Sequence, residues 1–167
     1  REGGLPIREG GANVAGSLQV KAPAGASSGV LVAGARAHTR STLRPGTFGV
    51  YYPGLTTAES ADGPVSVNGL RQDASMRSNV AFVNVGDAGA VTLRVTFYDE
   101  YGQVLERPEE WALGSGVWRQ LGQPLGTRGA TAGSARIERV SGKSRFIAYG
   151  VLNDAATSDG SYLPMSR

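Results

Sequence analysis

Residues 78–105 read SNVAFVNVGDAGAVTLRVTFYDEYGQVL. Val91, Leu93, Val95 and Phe97 fall on one side of this stretch, and Thr92, Arg94, Thr96 and Tyr98 on the other. That period-2 alternation marks a half-buried strand. Asn79–Val85 is a nearly continuous apolar run, and Gly86-Asp87-Ala88-Gly89 between the two supplies hairpin-turn residues. Asp99-Glu100-Tyr101-Gly102 turns the chain again. Two antiparallel strands and the start of a third predict an all-β fold.

Working outward, other short strands follow at turn-bounded intervals. Gly16–Lys21 alternates, with Leu18 and Val20 on one side. Val30–Ala35 reads as a buried strand with Gly34 inside it, and Thr47–Tyr52 as a strand ended by Pro53. Towards the C-terminus, Trp111–Leu113, Val117–Leu121 and Ser134–Val140 read as strands, and Arg145–Leu152 as a fully buried one. Residues 54–77 lack strong periodicity and read as a linker, interrupted at most by a short strand at Val65–Val67 or Gly69–Leu70. Residues 1–15, with four glycines, read as an extended arm. No cap followed by helical periodicity is visible. The expectation is an antiparallel β-sandwich, immunoglobulin-like or jelly-roll-like, over residues 16–167.

The chain also resembles itself. Gly16–Lys21 parallels Gly133–Glu138, Val30–Ala35 parallels Phe146–Val151, and Tyr51-Tyr52-Pro53 parallels Tyr162-Leu163-Pro164. Half-repeats at 16–53 and 78–164 predict that Gly34 and Gly150 occupy equivalent places beside Tyr51 and Tyr162.

Composition bounds the function classes. Within 167 residues there are 25 glycines and no cysteine, so the core must form without disulfides. No apolar run reaches the ~18 residues of a membrane helix, so no membrane span is expected. The chain opens at Arg1 rather than Met, which reads as a piece of a longer product. The net charge of +3 is scattered over arginines, with lysine only at Lys21 and Lys143. Without a basic stripe interleaved with aromatics, no nucleic-acid partner is expected.

Candidate chemistry is sparse. His38 is the only histidine; it sits in a polar stretch with Ser41 nearby and no nucleophile-elbow glycines, so no catalytic triad is expected from Ser41 with Asp62 or Asp73. One histidine and no cysteine make zinc an unexpected ligand, and no metal or cofactor is assigned. Asp99-Glu100 and Glu109-Glu110 are adjacent carboxylates, which on extended backbone point to opposite sides, whereas glycoside hydrolysis needs two that face each other. Asn153–Asp159 is oxygen-rich, as calcium requires, but turn chemistry explains the same residues. Tyr98, Tyr101 and Trp111 are the candidate ligand-binding residues, as a stacking face for sugar. Trp118, between Val117 and Leu121, reads as core.

Four stretches resemble tandem repeats of large predicted secreted bacterial proteins. They are the strand Arg77–Asn84, the hairpin Val91–Gly102, the segment Trp118-Arg119-Gln120 and the closing stretch Phe146–Pro164, with Gly46–Gly49 ending the preceding half-repeat. The closing loop here is Asn153-Asp154, where the repeats commonly carry the reverse order. The resemblance implies a secreted or cell-surface setting and a non-enzymatic module for adhesion, assembly or spacing. Its expected partners are a protein or glycan at the cell surface, or a neighbouring module joined by strand-edge pairing. The alternative is a carbohydrate-binding accessory module of a secreted enzyme.

Overall fold

A computed structural model describes residues 16–21, 32–40 and 45–167. The described residues are all-β and antiparallel. The strands are β1 (Gly34–Arg40), β2 (Thr47–Pro53), β3 (Val65–Arg71), β4 (Met76–Asn84), β5 (Val91–Asp99), β6 (Glu109–Leu113), β7 (Trp118–Gly122), β8 (Ala132–Gly142), β9 (Phe146–Asp154) and β10 (Gly160–Ser166). Two single 3-10 turns, Thr57–Glu59 and Gly126–Arg128, are the only helical pieces among them. Among the described residues no helix is long and apolar enough to cross a membrane.

β3 to β10 form one sheet in the order β6-β5-β8-β3-β10-β9-β4-β7. It folds into two layers that share β10. Gly160–Pro164 pairs with β9, then Met165 and Ser166 pair with β3. Pro164, which has no N–H to give a ladder, stands at the changeover. Gly69 sits at φ 76, where the β3–β8 register shifts between Val67 and Leu70, a bulge only glycine takes without strain.

The core lies between the layers. β5 contributes Val91, Leu93, Val95 and Phe97, all buried, as the alternation predicts. Val80 and Phe82 of β4, Ala135 and Ile137 of β8, and Phe146 and Ala148 of β9 complete it. β6 and β7 are the two ends of the sheet, and the turn after Leu113 brings them together. The buried Asn84 amide fixes this turn by donating to the carbonyls of Gly89 (2.9 Å) and Leu113 (3.0 Å).

Three expectations are corrected. Residues 54–77 are not a linker: β3 lies in the middle of the sheet, with Val65, Val67 and Leu70 buried. Its bulge breaks the alternation that would have announced it. Gly16–Lys21 forms no strand and is exposed. In Val30–Ala35, residues 30 and 31 lie outside the described residues, Val32 is 83% exposed and β1 is exposed along its whole length, so this is not a buried strand. The arm at 1–15 also lies outside the described residues.

Candidate functional site

The three residues expected to form a stacking face are not brought together. On β5, Tyr98 follows Phe97 and so lies on the outer face, half-buried opposite Ser134. Tyr101 stands in the next turn, 80% exposed. Trp111 pairs with Leu93, a core residue, and packs against the core from β6. It therefore faces the opposite side of the sheet from Tyr98. The guanidinium of Arg119 on β7 covers its ring at 4.4 Å, closing the seam between the end strands. The register with Leu93, rather than the two glutamates before it, decides which way Trp111 faces.

The aromatic cluster that does form lies on the outer side of the second layer. Ala81 and Val83 of β4, and Ile147 and Val151 of β9, are buried yet alternate with the core residues of their strands, so they face away from the core. Beside them stand Trp118, Tyr149 and Tyr162, on the same face by register with Val83, Pro164 and Val151. Trp118 is thus not core: its Nε1 donates to the Tyr149 hydroxyl at 3.0 Å. Tyr149 and Tyr162 stack at 5.5 Å, and Tyr52 of β2 meets them edge-on at 5.7 and 6.2 Å. Burial raises the Tyr149 and Tyr52 hydroxyls above the usual tyrosine range. Tyr162, desolvated and beside Tyr149 and Glu59, is pushed up to about 12.

This cluster docks the β1–β2 hairpin. Val50 and Tyr52 turn towards the eight-stranded sheet, with Val50 buried. Tyr51, on the other face of β2, is exposed alongside Arg36, His38 and Arg40. The Gly54 amide donates to the Ala33 carbonyl, so Ala33, Ala35, Ala37 and Thr39 direct their backbone groups to β2. Gly34, Arg36, His38 and Arg40 direct theirs outward, where no described strand pairs with them.

The titratable candidates are placed elsewhere or occupied. His38 is exposed on β1, and Ser41 lies outside the described residues. Asp62 pairs with Arg145 at 3.3 Å. Asp73 accepts from the Ser75 hydroxyl and amide, which lower its pKa to about 2. Asp99 caps its own turn by accepting from the Tyr101 and Gln103 amides. Glu109 pairs with Arg128, and Glu110 with Arg94. In the 153–159 loop the Asp154 carboxylate accepts from the Ala156 and Thr157 amides and the Thr157 hydroxyl, which hold its pKa below the usual range. Asp159 accepts from the Gly49 amide at 3.0 Å. Among the described residues, no three His, Cys, Asp or Glu side chains gather as a metal site.

An open groove of about 430 Å³ lies between Pro53, Leu55 and Ala58 on one side and Tyr162, Pro164 and Met165 on the other. A smaller hollow of about 220 Å³ adjoins it, the two sharing Ala58 and Arg167. Ser60 meets Arg145 and Arg167 here across sequence separations of 85 and 107 residues, which no local pattern announces.

No protein-family model matches this chain, and neither a curated protein nor a solved structure matches it.

Proposed function

We propose that this chain is a non-enzymatic β-sandwich module of a secreted or cell-surface protein, used for adhesion, assembly or spacing. The observation that carries the reading is the outward edge of β1. Four backbone N–H and four C=O groups, from Gly34, Arg36, His38 and Arg40, face away from β2 with no described strand beside them. Such an edge is a template for strand addition by a neighbouring module or another chain. Arg36 and Arg40 on this strand restrict which strand can add, favouring one with acidic residues opposite. The secreted or surface setting follows from the resemblance of Arg77–Asn84, Val91–Gly102 and Phe146–Pro164 to secreted bacterial repeats.

The jelly-roll-like form of the sandwich is supported by nested pairing. Counting from β3, the first strand pairs with the eighth, the second with the seventh and the third with the sixth, while a tight turn joins the fourth and fifth. That is the wiring of one long hairpin rolled up on itself. Outside it, we read β1–β2 as a partial copy of β9–β10: both are antiparallel hairpins whose second strand carries Tyr and Pro.

The test is strand addition itself. Sedimentation should reveal concentration-dependent association that His38→Pro abolishes, because it removes an outward N–H and leaves the β1–β2 ladder intact. The protein on intact cells should also be open to external protease. A monomer at every concentration, shielded inside cells, would end the proposal.

A further inference from the structure

Two arginines converge on one oxygen beside the apolar groove. The Arg145 side chain comes from the start of β9 and that of Arg167 from just past β10. Each donates an Nη2 hydrogen bond to the Ser60 carbonyl, Arg167 at 3.1 Å. Arg145 also donates from Nε to the Ser60 hydroxyl at 2.9 Å and from Nη1 to Asp62 Oδ2 at 3.3 Å. Two guanidiniums sharing one neutral acceptor must lie within a few ångströms of each other, and their mutual repulsion favours an anion between them.

The nearby charges are otherwise committed. Asp62 answers Arg145. Glu59, on the groove wall, turns its Oε2 to the Thr56 amide and hydroxyl, both at 2.7 Å. Arg167 has no carboxylate within ion-pairing distance among the described residues. Arg167 lines both hollows, and among the described residues its guanidinium makes only the hydrogen bond to Ser60. A guanidinium presents a planar fork that fits a carboxylate on two bonds.

The geometry points to a binding site for the carboxyl end of a peptide: the terminal carboxylate is held by Arg167 and Arg145 over Ser60, and the apolar last residue lies in the groove of Leu55, Tyr162, Pro164 and Met165. The groove is open rather than enclosed, so the chain before the last residue can run on past it, which suits a chain end better than a compact acid. This site is separate from the β1 edge and does not depend on it.

The experiment is an NMR titration with N-acetyl-Ala-Ala-Leu as free acid, its C-terminal amide, and N-acetyl-leucine. Expected are saturable shifts at the Ala58, Asp62 and Tyr162 amides with the free acid, and affinity lower by roughly tenfold or more for the amide, since a charge-assisted pair is lost. Arg167→Gln should weaken the free acid to the level of the amide while leaving the circular dichroism unchanged. Leu55→Asp should weaken acid and amide alike. Equal binding of acid and amide, shifts that map elsewhere, or no saturation would overturn the site. N-acetyl-leucine binding as tightly as the tripeptide would overturn the chain-end occupant in favour of a small free acid. If Arg167→Gln fails to fold, the acid–amide comparison on the unaltered protein still decides.

Discussion

The hairpins β1–β2 and β9–β10 start from similar local patterns and end in different places. Each has a first strand containing a glycine and a second strand with Tyr followed by Pro, and each is antiparallel. Yet β9 is buried on both faces over Phe146–Val151, whereas β1 is exposed along its length. The registers also differ by one residue: Gly34 pairs with Pro53, while Gly150 pairs with Leu163 and Pro164 with Tyr149. A one-residue slip exchanges the faces of a strand. Gly34 and Gly150 are therefore not equivalent, contrary to the sequence expectation. A Cβ on Gly34 would meet the Tyr51 ring tip; one on Gly150 would sit 2.9 Å from Val67 Cγ1 and 3.2 Å from Leu163 Cδ1. What separates the hairpins is neighbourhood: β9 lies between β4 and β10 with β3 facing it, and among the described strands β1 pairs only with β2.

The largest expected effect tests burial directly. Phe146 is fully buried in the core and carries β9. Phe146→Ala should cost about 3–5 kcal/mol through lost burial and the cavity left behind. Phe48→Ala on β2, a half-buried position, should cost less than half of that in the same denaturant titration. Equal costs would mean that the outer hairpin is as integral to the fold as β9.

Next comes the glycine pair. Gly150→Val should destabilise by about 1–3 kcal/mol, because Val67 and Leu163 are held in the core and cannot withdraw. Gly34→Val should fall within about 0.5 kcal/mol of neutral, since Tyr51 is exposed and can swing its hydroxyl away. Matching losses at both positions would restore the equivalence that the registers deny.

How far the sequence could be read follows from the same contrast. β5 was legible because one polar face and one apolar face alternate without a break from Val91 to Tyr98. β9 was legible as buried because both of its faces are apolar. β3 was hidden by Gly69 and its bulge, which shifts the phase between Val67 and Leu70. Val30–Ala35 misled because small apolar residues fit a buried strand and an exposed edge alike. At the site level, Tyr98 was placed on its face correctly, but the sides taken by Trp111 and Trp118 depend on pairing with Leu93 and Val83. That pairing is set by strands far away in sequence.

A smaller effect probes how the outer hairpin is seated. The Trp118 Nε1 bond to Tyr149 is lost in Tyr149→Phe, leaving a half-buried donor without its acceptor, at a cost of about 1 kcal/mol. The rings stay in place, so the Tyr52 contact should persist and β1–β2 amides should keep their hydrogen-exchange protection relative to global unfolding. Selective loss of protection in β1–β2 would show that the bond, rather than ring packing, seats the hairpin.

The smallest effect is at alkaline pH. Tyr162 has its hydroxyl raised from 10.0 to about 12, first by burial, then by Tyr149 and Glu59, and burial also raises Tyr149 and Tyr52. A folded-state pKa above the unfolded one means the unfolded chain loses its proton first. The stability linked to these hydroxyls is thus complete below about pH 10 and disappears as pH rises towards about 12. Tyr162 is only about half-buried, so solvent screening keeps the contribution modest. Chemical denaturation at stepped alkaline pH should show stability declining across that window, and Tyr162→Phe should flatten the decline without altering the neutral plateau by more than a small hydrogen-bond contribution. Tyr51→Phe, on the exposed face of β2, should leave the decline in place. If Tyr51→Phe flattens the curve as much as Tyr162→Phe, the outer hairpin is not seated on the Tyr149–Tyr162 stack, and the burial contrast between the two hairpins fails at its point of contact.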